Sequence, residues 1–170
     1  MIAKLFRRLT TDPVAGGPLF DWATAAAREP GWYVEGSIPD TIDGRFAMVS
    51  TIVALCCARL EQLGPEGQPL SVALTERFAA VMESEHRELG IGDPTLGKTV
   101  LKLVGALARR TTILRPAMDG AVDWPAAADA ALPGLDDSEL AGIWRARRLE
   151  NLARRLQSAR IEELATGAIA

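Results

Sequence analysis

The sequence has little histidine and little cysteine, and each shortage excludes a class of site. Because His86 is the single histidine, a metal site built on paired histidines is excluded and few catalytic triads are possible. Cys56 and Cys57 are adjacent, so on a helix their side chains diverge by about 100° and cannot easily join. We interpret them as two buried thiols in a reducing compartment, which indicates the cytoplasm, and we expect no metal and no cofactor.

A long apolar run and a large excess of charge are also lacking. The longest apolar stretch, residues 46–58, contains Ser50 and Thr51 and is shorter than the roughly 20 residues of a membrane-spanning helix, so we predict a core helix. The formal net charge of -3 gives no reason to expect DNA binding. Residues 1–17 are predicted to form a flexible basic tail without the features of an export signal, and a helix on a membrane surface is the alternative.

Apolar residues recur at helical spacing through the rest of the chain, whereas no alternating run typical of a strand appears. We therefore predict an all-α fold, a compact bundle-like single domain over residues 18–170. Trp32, Tyr33 and Val34 are expected to form an extended aromatic anchor between helices. The predicted helices cover residues 21–29, 42–63, 69–89, 94–110, 126–131 and 136–164.

The last predicted helix carries a repeated pair of arginines. Arg147 and Arg148 recur seven residues later as Arg154 and Arg155, which predicts a basic stripe. The favoured interpretation is a solvated face with local ion pairs. The alternative is a helical interaction module that binds an acidic protein, RNA or lipid headgroups through the stripe. Apolar residues on two faces of this helix predict a kink or contact with two neighbours, and Asp136, Asp137 or Ser138 is expected to cap it.

Residues 92–99 match the phosphate-loop pattern G-x-x-x-x-G-K-T. That pattern binds phosphates where a strand enters a glycine loop before a helix. Here the preceding segment has helical periodicity, and Asp93 followed by Pro94 is typical of a helix start. Gly97 and Lys98 then fall in the first turns of a helix. A nucleotide-binding enzyme is therefore the least favoured function class.

Glu85 interrupts the apolar stripe that runs from Phe78 to Leu89 on its predicted helix. A buried carboxylate requires a partner, and Arg45 and Lys98 are the candidates. A catalytic acid with a raised pKa is conceivable at such a position. A structural ion pair that fixes how the helices meet is favoured, because no second acid, base or metal cluster is visible nearby in the sequence.

Two blocks of sequence resemble the ubiquinol-cytochrome c chaperone family. The first is P-D-T-I-D-G-R-F, residues 39–46, in which Asp40 or Thr41 can cap the following helix. The second is H-R-E-L-G-I-G-D, residues 86–93, some forty residues later and followed by a Gly-Lys pair. The resemblance covers about residues 18–115. It departs from the family pattern at positions that include His86, where arginine is frequent.

The resemblance implies a helical chaperone that binds a client and does not catalyse a reaction. The implied client is cytochrome b, or another membrane protein, during assembly of the ubiquinol-cytochrome c reductase complex. A second assembly factor, the ribosome and the face of the inner membrane are further partners to consider. The candidate partner-binding residues, which can equally be helix caps and ion pairs, are Trp32, Tyr33, Asp40, Asp43, Arg45, Phe46, Glu85, Arg87, Glu88, Asp93 and Lys98.

Overall fold

The computed structural model describes residues 16–88, 93–132 and 138–170, and for residues 93–95 it describes the backbone alone. These residues form α-helices joined by short turns, with no strand among them, which confirms the all-α prediction. The basic tail up to residue 15, the glycine corner at 89–92 and the capping candidates Asp136 and Asp137 lie outside the described residues. The helices are α1 (Gly17–Ala27), α2 (Gly31–Val34), α3 (Ile42–Gln62), α4 (Gln68–Glu88), α5 (Asp93–Met118), α6 (Trp124–Ala131), α7 (Glu139–Ser158) and α8 (Ile161–Thr166).

Helix α3 is the centre of the fold and packs against α1, α4, α5 and α7. Thr41 caps its first turn, because the Thr41 hydroxyl oxygen accepts a 3.1 Å hydrogen bond from the Gly44 backbone N–H, so the cap is Thr41 and not Asp40. Its side chains are buried on nearly every side, including both thiols, which are not joined. The predicted core helix with two buried, free cysteines is confirmed.

Helix α2 differs from its prediction. Trp32, Tyr33 and Val34 form a helical turn instead of an extended segment. The indole Nε1 of Trp32 donates to the Ala26 carbonyl at 2.8 Å, and the Tyr33 hydroxyl donates to the Ala27 carbonyl at 2.9 Å. These bonds occupy carbonyl groups at the end of α1 that lack partners within that helix. The two aromatic residues therefore fold back on α1, which an extended segment would not allow.

Helix α5 continues to Met118, beyond the predicted end at residue 110. The predicted end followed the apolar face from Leu96 to Leu107, and Pro116 was expected to interrupt the chain only later. In the structure Pro116 lies in the last turn, where it removes a single backbone donor while the preceding turns remain intact. Burial of Leu114 and Ala117 holds these turns in the core, so tertiary packing outweighs the local effect of the proline.

The single C-terminal helix predicted over residues 136–164 is wrong, because the chain leaves helical geometry at Ala159 and resumes it in α8. Arg59 of α3 donates to Leu156 O in the last turn of α7 at 3.1 Å, and to Ala159 O just beyond the helix at 3.4 Å. The Arg160 backbone N–H donates to the Glu163 carboxylate at 2.8 Å, which caps α8. At the other end of α7, the hydroxyl oxygen of Ser138 accepts from Ala141 N at 3.2 Å and is the cap.

Candidate functional site

A cleft of about 510 Å³ opens between α1, α3, α4 and α5, next to Tyr33 of α2. It contains residues of both sequence blocks that carry the family resemblance. The floor is apolar and the rim is charged, which is the composition expected of a surface that binds an apolar partner with some specificity. The apolar lining residues are Phe20, Ile42, Phe46, Val49, Val81, Met82 and Leu103. The charged lining residues are Asp21, Arg28, Asp43, Arg45, Arg77 and Glu85.

Phe46 joins the two blocks physically. Its ring centroid lies 6.1 Å from that of Phe78 and 6.5 Å from that of His86, with the histidine ring perpendicular to it. The Nδ1 of His86 lies 2.8 Å from the Met82 carbonyl oxygen, and because a carbonyl only accepts, this nitrogen carries the proton. His86 is thus held in place by its own helix and packs against the first block.

Arg45 lines the cleft on the α3 side and forms an ion pair with Asp40. The Nε of Arg45 donates to the Asp40 carboxylate at 2.5 Å, and this hydrogen bond holds the pKa of Asp40 below its usual value. Both side chains are well exposed, so the pair contributes little stability. Tyr33 borders the same region, and its partial burial raises the pKa of its hydroxyl.

Glu85 also lies in the cleft, but it is exposed, so the predicted buried ion pair with Arg45 or Lys98 is wrong. The apolar stripe of α4 does continue from Phe78 to Met82 and on towards Glu85. At this end of the helix the stripe faces the open cleft instead of a neighbouring helix. The Glu85 carboxylate therefore stays in water, and Arg45 pairs with Asp40.

The sequence analysis did not identify the cleft residues on α1 and in the middle of α4. The guanidinium of Arg77 lies 6.0 Å from the ring centroid of Phe20, a cation–π contact across the cleft floor, and its Nε is buried without a hydrogen-bond partner. Arg28 lines the rim close to the end of α1. No local signal marks these residues, because only the packing of α1 against α3 and α4 brings them to the site.

Arg87 and Glu88 of the second block, and Lys98 beyond it, do not line the cleft. Arg87 is exposed and pairs with Glu83, one turn before it on α4, at 2.8 Å. Glu88 is exposed at the end of α4, and Lys98 is exposed on α5. The backbone of Asp93 begins α5, whereas its side chain lies outside the described residues. The structure therefore brings Tyr33, Asp43, Arg45, Phe46 and Glu85 together, with Asp40 paired to Arg45, whereas Arg87, Glu88 and Lys98 do not line the cleft.

Trp32 is fully buried, so it cannot contact a partner directly while the domain is folded. Its ring meets that of Trp144 edge to face, with centroids 5.3 Å apart. Trp32 is therefore a core residue that supports the surface occupied by Trp144.

The predicted arginine stripe is divided in the structure. Arg148 pairs with Glu29, and Arg155 donates to the Ala170 and Ile169 carbonyls while its guanidinium lies 5.5 Å from the ring centroid of Trp22. Of the four stripe residues, Arg147 and Arg154 are exposed and make no such contact within the described chain. Two of the four arginines are therefore engaged within the chain, which agrees with a solvated face that carries local ion pairs.

The phosphate-loop interpretation also loses its structural context. Helix α4 runs to Glu88, and α5 contains Gly97, Lys98 and Thr99. Between residues 93 and 99, then, the backbone is helical and does not form a loop around a phosphate. None of the described helices has both the length and the apolar composition needed to span a membrane.

The sequence model of the ubiquinol-cytochrome c chaperone family matches residues 35–165. The chain belongs to the ubiquinol-cytochrome c chaperone family. This match extends past residue 115, where the resemblance read from the sequence ended, and it includes α6 and α7.

A crystal structure of the Cbp3 homolog from Brucella abortus is similar to this member of the chaperone family over the whole chain. The two share 29% sequence identity with a TM-score of 0.73, over 100% of this chain and 96% of the other. No curated protein matches the sequence.

Proposed function

We propose that this member of the chaperone family binds newly made cytochrome b and assists its assembly into the ubiquinol-cytochrome c reductase complex. The observation that carries the proposal is the contact between Phe46 and His86, which joins the two family blocks at one cleft. Blocks that only capped separate helices would not need to meet. The proposed contact residues are Tyr33, Asp43, Arg45, Phe46 and Glu85.

The composition of the cleft suits an unassembled membrane protein. Such a client exposes apolar side chains that its lipid or protein neighbours later cover, and removing them from water yields about 25 cal/mol per Å². The apolar floor around Phe46 and Val49 can accept a few such side chains. The acids and arginines of the rim stay hydrated and favour a client segment whose polar groups match them. We expect this binding to be reversible, because an assembly factor has to release its client.

The proposed activity is binding without catalysis. His86, the residue of the cleft with the most obvious catalytic chemistry, uses Nδ1 in a bond to its own helix and turns its ring toward Phe46. It is arranged for packing. The proposal places the protein in the cytoplasm beside the inner membrane, where a second assembly factor or the ribosome would accompany the client.

The test compares two exposed apolar residues that lie on different surfaces. Ile42 lines the cleft and is 66% exposed, whereas Leu101 on α5 is 74% exposed and lies outside it. Substituting either by glutamate should leave the fold intact, because neither side chain is in the core. Cross-linking followed by affinity purification from the native cells should recover cytochrome b with the wild type and with Leu101→Glu, and much less with Ile42→Glu. Equal recovery with both variants, or no cytochrome b with the wild type, would refute the proposal.

A further inference from the structure

A second and larger groove, of about 960 Å³, lies between α7 and the segment that contains α2. Three apolar side chains on its walls are exposed: Val34 at 71%, Leu140 at 79% and Ile143 at 40%. The half-buried ring of Trp144 lies between them. Three of the large exposed apolar residues of the described chain thus line this one groove, which is an apolar surface that the fold leaves uncovered.

The floor of this groove is held firmly. A Cβ atom on Gly31 would lie 2.7 Å from the Trp144 ring, and one on Gly36 would lie 3.2 Å from it, so the indole is seated against two glycine positions. The neighbouring Arg145 is buried and donates to the Gly36 carbonyl at 2.8 Å. The exposed apolar residues therefore project from a fixed surface, and loose packing does not explain them.

The edge of the groove carries one ion pair across it and one further charged residue on each wall. Arg148 of α7 and Glu29 of the opposite wall neutralise each other across it. Among the described residues, Glu35 and Arg147 make no ion pair, and both are exposed. One wall thus retains an unpaired acid, and the other wall retains an unpaired base.

We propose that this groove binds a second copy of the same chain and forms a twofold symmetric dimer. The proposed twofold axis runs along the groove, which places each wall of one copy against the opposite wall of the other. Glu35 of each copy then faces Arg147 of its partner, so one pair of residues supplies two intermolecular ion pairs. The projecting Leu140 of each copy enters the groove of the other and covers its Trp144.

The same balance of charge argues against the other occupants. A lipid surface or a nucleic acid would require an excess of cations, and Arg147 is offset here by Glu35 on the opposite wall. The groove shares no lining residue with the cleft between α1, α3, α4 and α5. A dimer formed through the groove therefore leaves the proposed client surface of each copy accessible.

Sedimentation velocity over a wide range of protein concentration tests this proposal. The wild type should dimerise, and Leu140→Asp should weaken dimerisation at least tenfold, because it places a carboxylate in the apolar groove of the partner. Leu101→Asp is the matched control, since Leu101 is exposed to a similar degree outside the groove, and it should dimerise as the wild type does. A wild type that stays monomeric at every concentration, or equal behaviour of the two variants, would overturn the proposal.

A charge exchange tests the twofold arrangement itself. Arg147→Glu and Glu35→Arg should each dimerise poorly, because each places like charges together twice in a symmetric dimer. A mixture of the two variants should dimerise again, and so should the double variant. If neither the mixture nor the double variant regains the dimer, the pairing of Glu35 with Arg147 is wrong. Ile42→Glu should remain dimeric, so failure of the dimer is distinguishable from failure of client binding.

Discussion

A Cβ atom on Gly44 would lie 2.0 Å from the carbonyl oxygen of Pro39, far closer than any van der Waals contact. Gly44 also donates its backbone N–H to the Thr41 hydroxyl, the cap of α3. The turn that starts α3 is therefore compact enough to exclude every side chain at this position. The glycine of the first family block is explained by the closeness of two backbone segments.

We expect Gly44→Ala to lower the free energy of unfolding by about 1–3 kcal/mol, the usual cost of forcing an extra carbon into a packed site. The turn must open to relieve the contact with the Pro39 carbonyl, and this also disturbs the Thr41 cap. Urea unfolding followed by circular dichroism measures the change. A stability equal to that of the wild type would show that the turn adapts freely and that this backbone contact does not require glycine.

Gly97→Ala should have the opposite effect. Gly97 is exposed within α5, and a Cβ atom there would meet nothing within 4 Å. Alanine restricts the unfolded chain and favours the helix, so we expect a gain of about 0.5–1 kcal/mol. The glycine of a working phosphate loop would not tolerate this change. Destabilisation, together with a rise in melting temperature on adding ATP or GTP, would contradict the helical interpretation.

Sequence periodicity predicted the helical fold well because most of its evidence is local. The capping of α3 and of α7 and the burial of Cys56 and Cys57 follow from residues within one or two turns of each other. The break between α7 and α8 could not be predicted in the same way. It involves Arg59, which bonds to carbonyls about a hundred positions later in the chain.

The candidate site also combines features that local sequence predicts with features that depend on long-range packing. Phe46 and the family blocks were identified from the sequence, yet their meeting at one cleft depends on how α3 packs against α4. Periodicity placed Glu85 on the apolar face of α4 but could not show that this face ends in open solvent. Trp32 illustrates the converse error, because a conspicuous aromatic residue proved to be buried.

Arg145 should be among the least replaceable charged residues of the fold. It is 1% exposed, and its guanidinium donates to the Gly36 carbonyl. Arg145→Met removes this donor and leaves a buried carbonyl unsatisfied, for which we expect a loss of about 2–4 kcal/mol. Arg154→Met, on the exposed face of the same helix, is the matched control and should change stability by less than about 0.5 kcal/mol. Chemical unfolding of both variants measures the loss of stability. Equal stabilities of the two variants would show that the buried guanidinium is dispensable.

Alkaline pH should destabilise the domain through its two buried thiols. Burial raises the pKa of Cys57 from 9.0 to about 12 and raises that of Cys56 well above its usual value. The unfolded chain loses these protons above about pH 9 while the folded chain keeps them, so the unfolded state binds fewer protons and stability falls as pH rises. The stabilising effect is complete below pH 9.0 and is lost progressively toward about 12 for Cys57.

Urea unfolding of the wild type and of Cys57→Ala at about pH 8 and about pH 10 measures this effect, since the usual thiol pKa lies between these values. The wild type should lose more stability over this interval than the variant does, by up to about 1.4 kcal/mol per pH unit above the thiol pKa of the unfolded chain. The slopes of unfolding free energy against pH are compared, so the packing lost with the sulfur atom cancels. The titration of groups common to both proteins cancels as well. Parallel slopes would mean that the Cys57 thiol ionises equally in the folded and unfolded chains. Such a thiol would be in contact with water and could not belong to the core of α3.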